Sequence, residues 1–196
     1  MSSNSVLLIL VAAVVVVVLV IALIQFRQHK NKRHQRLRER FGPEYDRLVT
    51  ATGNTAAAER ELEAREKRAA RYKIRTLSSE EQARFASRWQ LVQGEFVDNP
   101  KASLGRADAL LGEVMTARGY PLLDFEQRSA DLSVDHPVVV QHYHAAHDIA
   151  LRYTKGEATT EDMRQAMIHY RALFEDLISD AVPAAPVAVN TPHAAE

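Results

Sequence analysis

The 196-residue chain contains no cysteine, which excludes disulfides, thiol nucleophiles, zinc–thiolate centres and lipid modification of a thiol. Its seven glycines are scattered, so no phosphate loop, dinucleotide fingerprint or G-x-S-x-G nucleophile turn is present. Alternation of apolar and polar residues at a period of two is missing over any useful length, which argues against sheet. No internal repeat occurs. The first 26 residues carry no charged side chain at all.

That uncharged start holds Val6 to Ile24, 19 consecutive apolar residues. As a helix they extend about 28 Å, the thickness of a bilayer core. Soluble helices need a polar face and this run has none. A lone segment in hydrocarbon must bond its backbone internally, so the many valines do not oppose a helix. A cleaved signal peptide is a poorer match, since the start MSSNS is uncharged, the run is long, and bulky Ile24, Gln25 and Phe26 close it. All the positive charge comes afterwards. Residues 27 to 40, RQHKNKRHQRLRER, carry seven bases against one acid. The positive-inside rule keeps that side in the cytoplasm and sends the N-terminus across. Arg27, Lys30, Lys32, Arg33, Arg36, Arg38 and Arg40 are also expected to contact anionic lipid head groups, each adding about 1 kcal/mol. Nucleic acid is not the expected partner, because the segment has no interleaved aromatics for stacking. Residues 41 to 196 hold eighteen bases and twenty-four acids, a mildly acidic balance that also opposes nucleic-acid binding.

Beyond residue 40 the punctuation is helical. Gly42-Pro43-Glu44 supplies a cap, a Pro at the first helical position and an acid in the first turn. A polar helix is predicted from Ala56 to Ile74, laced by Glu61/Arg65 and Glu63/Lys67 and touching the core through Leu62, Ala69 and Ile74. Ser78-Ser79-Glu80-Glu81 is a capping box opening a helix to about Val97. Asn99-Pro100 starts the next, which Gly119 and Pro121 stop after Arg118. Shorter segments follow, from Asp124 to Leu132 and from His136-Pro137 to Lys155-Gly156. Thr159 or Thr160 caps the last helix, ending near Ser179. Four apolar stripes keep the 3.6-residue period: Phe85, Trp89, Val92, Phe96; Leu104, Ala107, Leu111, Val114; Val139, Tyr143, Ala146, Ala150, Tyr153; and Met163, Met167, Tyr170, Phe174, Leu177. The predicted fold class is all-α. A transmembrane anchor (1–26) and a basic juxtamembrane segment (27–40) precede a helical bundle (41–180), and a disordered Ala/Pro-rich tail (181–196) follows.

Histidines are the only candidates for chemistry. In QHYHAAHDI, His144, His147 and Asp148 share one helix face at i, i+3 and i+4, a possible metal-ligand geometry that His169 would have to complete from another helix. His142 points elsewhere on the same helix. The H-E-x-x-H and paired E-x-x-H motifs are absent. A solvated or capping face is the simpler reading, so no metal, cofactor or catalytic residue is assigned. Asp135-His136-Pro137 can hold an Asp-oriented histidine for proton transfer, but it equally makes a helix start, because the residue before Pro is forced out of the helical region.

The stretches FGPEYDRLV, FVDNP with ADALL, VMTARGYPLLDFEQRSADLSVDHP, YHAAHDIA and TEDMRQAMIHYRALF span most of residues 41 to 178. Together they resemble a group of bacterial proteins of unknown function, described as membrane or secreted proteins. The resemblance implies a discrete module and no activity; its members carry Asn-Tyr-Arg where this chain has His142-Tyr143-His144, which speaks against a metal site built on His144. The functional expectation is a single-pass, membrane-tethered helical interaction module on the cytoplasmic face of a bacterial inner membrane. Its partners would be anionic lipid and a protein, or a second copy of itself. The alternative is a metal- or histidine-dependent enzyme using His136, His144, His147 and His169.

Overall fold

The computed structural model describes residues 31–121 and 123–179, together with positions 20, 21, 24, 25, 27 and 28. All six of those separate positions are helical, and residues 31–41 form helix α1. Seven more helices follow: α2 (Pro43–Thr52), α3 (Thr55–Ala69), α4 (Ser79–Glu95), α5 (Pro100–Arg118), α6 (Phe125–Asp135), α7 (Val140–Thr154) and α8 (Thr160–Ile178). The fold is all-α, with no strand among the described residues. No described helix is long and apolar enough to cross a membrane. The expected anchor lies outside the described residues except for Val20, Ile21, Ile24 and Gln25, as does the tail from residue 180 onward.

The helix boundaries follow from local chemistry. Ser78 and Thr159 close reciprocal capping boxes with Glu81 and Asp162, while Asn54, Asn99 and Asp124 each accept a first-turn N–H. Gly119 ends α5 at φ 99°. A Cβ there would also run into the Lys73 carbonyl. The segment after α3 passes that close because the Arg75 N–H donates to the Arg118 carbonyl at 2.8 Å. Glycine is therefore required twice over, for the left-handed turn and for the close approach.

Around His136 the structure differs from the sequence reading. Helix α6 runs on to Asp135, His136 caps it, and α7 begins only at Val140. Pro137 has no N–H to give, and His136 sits at φ −126°, ψ 53°, outside the helical region. The buried stripe of α7 accordingly shifts to Val140, Tyr143, Ala146 and Ile149, leaving Val139 and Tyr153 at its edge.

Two cores result. The larger is built by α4, α5, α7 and α8, with Trp89 stacked on Phe174 (centroids 4.6 Å apart, planes at 15°). The smaller comprises Leu37, Phe41, Tyr45, Leu48, Ala58, Leu62 and Ala69 from α1, α2 and α3 and their edges, plus Val134 of α6. Leu37 and Phe41 are fully buried there, so helical packing starts upstream of residue 41, inside the basic segment. Burying two such side chains stabilises the join by about 1.5–3 kcal/mol each.

Candidate functional site

The basic helix lies along α3. Three acids of α3, Glu59, Glu63 and Glu66, recur at i, i+4 and i+7 and so line one face. Arg33, Arg36 and Arg40 of α1 meet them: Arg33 Nε lies 2.7 Å from Glu63, Arg36 Nη1 3.1 Å from Glu66, and Arg40 Nε 3.3 Å from Glu66. Successive arginines pair with successive acids in the same chain direction, so α1 and α3 run parallel with α2 returning between them. Arg38 reaches Asp46 of α2 at 3.5 Å. Arg27 and Lys32 are exposed, and Lys30 lies outside the described residues. Four of the seven expected lipid-contact residues thus have acids of the same chain as neighbours. Beneath them the Tyr45 hydroxyl sits 2.7 Å from His34 Nδ1 and donates to Glu59 at 3.2 Å, tying α1, α2 and α3 together.

A second network joins this N-terminal unit to the bundle. Glu44, at the start of α2, is fully buried. Arg47 donates to both its oxygens at 2.7 and 2.6 Å, Arg65 of α3 donates at 2.8 Å, and Gln141 of α7 donates at 3.1 Å. His144 Nε2 stands 3.6 Å away, too far for a hydrogen bond. Burial pushes the Glu44 carboxyl up, but Arg47, His144 and Arg65 outweigh it and hold the group well below the usual carboxylate range. Arg65 also donates to Ser133 of α6 at 3.2 Å. Three helices, α2, α3 and α7, therefore meet on one carboxylate, and Arg65 links it to α6. A group so saturated with donors is a structural tie, since no lone pair is left for proton transfer. A parallel tie forms at Asp131 of α6, which accepts from Arg68 at 2.8 Å, Tyr72 at 2.7 Å and Gln127 at 2.9 Å.

The histidines are dispersed. His147 stacks on Phe125 (3.5 Å between centroids, planes at 7°), and burial holds its pKa below the ordinary value. His144 faces Glu44, and His142 meets His169 across the α7–α8 seam, Nδ1 to Nδ1 at 2.9 Å. The set His144, His147, Asp148 and His169 is not gathered into one site, and among the described residues no group of three His, Asp or Glu could hold a metal ion. His136 Nδ1 lies 2.5 Å from Asp176 of α8, while Asp135 accepts from the Tyr120 hydroxyl at 3.2 Å. The carboxylate beside His136 is thus Asp176, 40 positions away, and not its neighbour Asp135.

One groove of about 290 Å³ opens between α5, α7 and α8, lined by Leu104, Gly105, Asp108, His147 and Tyr170 among others. Its carboxylate is already engaged, with Tyr143 donating to Asp108 at 2.9 Å and Arg128 at 3.1 Å. No described histidine contacts a Ser or Thr hydroxyl, so the nucleophile–base geometry of covalent catalysis is not assembled among the described residues. Comparison with protein-family models, curated proteins and solved structures finds no match to this chain.

Proposed function

We propose that the chain is a membrane-tethered helical module that holds its bundle on the cytoplasmic face of a bacterial inner membrane and presents it to a protein partner. The observation that carries this reading is the join between anchor and bundle. Every described position between 20 and 41 is helical, and helix α1 (31–41), which lies within and just after the basic segment, buries Leu37 and Phe41 in the α1–α3 core. An apolar run of 19 residues thus feeds, through a basic stretch, directly into packed protein. A purely flexible tether would need neither the buried residues nor the pairing of Arg33, Arg36 and Arg40 with α3. A rigid join is what a module needs if it is to meet a partner at a fixed height and attitude above the bilayer.

The basic segment has two roles in this reading. Its charge retains the C-terminal side in the cytoplasm. Arg27, Lys30 and Lys32, nearest the apolar run, meet anionic head groups, while the arginines further on brace α1 against α3. Fractionation of cells expressing the full chain tests the tether. The protein is expected in the membrane pellet after washing with high salt and alkaline carbonate, and a chain lacking residues 1–26 is expected in the supernatant. Recovery of the full chain in the first salt wash would overturn the reading, because a peripheral charge contact is screened by salt and an inserted helix is not.

A further inference from the structure

Three described histidines have a carboxylate partner: His34 with Glu59, His136 with Asp176 and His144 with Glu44. His142 and His169 instead have each other. Their Nδ1 atoms are 2.9 Å apart, the ring centroids 5.1 Å, and the planes are inclined at 31°. Both are half-buried, each next in sequence to a buried tyrosine, Tyr143 in α7 and Tyr170 in α8. A hydrogen bond between two such nitrogens needs one donor and one bare nitrogen, so a single proton lies between them. Adding a second would place two positive rings in contact.

An ion that replaces the shared proton would find its ligands already spaced. Imidazole nitrogens sit about 2.0–2.1 Å from a bound first-row divalent ion, so two of them at a right angle are about 2.9 Å apart, and at the tetrahedral angle about 3.3–3.4 Å. The observed 2.9 Å matches the right angle. Right-angled nitrogen ligands suit tetragonal Cu²⁺ or Ni²⁺. We infer that His142 and His169 form a two-imidazole site for such an ion, bridging α7 and α8 through both Nδ1 atoms with water completing the coordination sphere. In the shared-proton arrangement the two Nδ1 atoms face each other, so binding an ion requires turning the rings about their side-chain torsions to bring both lone pairs onto a common point. This site shares only His169 with the His144, His147, Asp148 and His169 set.

The test uses the full chain in detergent micelles with Cu²⁺ as the probe, followed by calorimetric titration and electron paramagnetic resonance. One ion per chain is expected at this site, with hyperfine splitting from two nitrogens. Loss of a mere outer-shell partner costs about 10–100-fold in metal affinity, so H142N and H169N are each expected to cost at least about tenfold, while H144N and H147N leave affinity unchanged. In the unsubstituted chain, substoichiometric Cu²⁺ should broaden the ring-proton resonances of His142 and His169 first. That measurement keeps the inference refutable if either variant misfolds. Equal losses in H144N or H147N, or earliest broadening at any other histidine, would overturn it.

Discussion

Replacing Glu44 by alanine removes the one carboxylate on which α2, α3 and α7 converge. The Arg65 side chain, 7% exposed, would keep Ser133 and the half-exposed Glu61 but lose its buried counter-charge. Gln141 would lose an acceptor as well. Breaking a buried pair by deleting one partner costs about 3–5 kcal/mol, because the surviving charge stays buried without compensation. Against a total stability of about 5–15 kcal/mol, such a loss is large. Urea unfolding of residues 27–180 followed by circular dichroism should show the midpoint falling by more than about 1 M with an unchanged slope. The double substitution E44L/R65M discriminates further. It removes both charges and is expected to recover much of the loss, since apolar replacement of a whole buried pair is often neutral or stabilising. A loss below about 1 kcal/mol for E44A alone would refute the assignment of this network as the tie between the two cores.

Three other outcomes follow from the same geometry. Gly119→Ala puts a Cβ against the Lys73 carbonyl at a left-handed φ of 99°, and is expected to cost more than the roughly 1 kcal/mol of an ordinary helix-end change; a neutral result in thermal unfolding would contradict the close approach. His147 and His169 both have pKa values lowered by burial, so the unfolded chain binds more protons than the folded one below about pH 6.5. Their contribution is complete above that pH and is lost as it falls; urea midpoints compared between pH 7.5 and 5.5 should show a decline that H147Q/H169Q flattens. E63Q/E66Q frees Arg36 and Arg40 from α3 and leaves Arg33 only Glu59, at 3.8 Å, so it should strengthen binding of residues 27–180 to anionic vesicles by about 1 kcal/mol per released base at low salt. Unchanged partitioning would mean that those arginines cannot reach the lipid.

The helices whose ends carry chemistry were legible in the sequence. Asn99-Pro100 and Gly119 bound α5 as read and the Ser78 box marks α4 as read, while of the two threonines that could cap α8 it is Thr159, in a box with Asp162, that does so. The α8 stripe from Met163 to Leu177 is buried throughout. Contacts between distant residues left no such trace. Glu44 is legible as a first-turn acid at the helix N-terminus, and nothing in its spacing announces Arg65 and Gln141 as partners. Glu63 reads as an i, i+4 partner of Lys67, yet it pairs with Arg33, 30 positions away. Leu37 is the single large aliphatic residue in a run of bases, too little for a periodicity signal, and only the packing of α1 on α3 reveals it as core. Two histidines meeting across a seam are equally silent, because pairing of α7 with α8 fixes their register and no motif does.

The orientation of the bundle is the claim on which the functional reading stands, and a topology reporter fused after Glu196 measures it directly. A fusion active only in the cytoplasm should be active, and one active only in the periplasm should be silent. The reverse pattern, or a mature chain beginning after residue 24, would contradict the account.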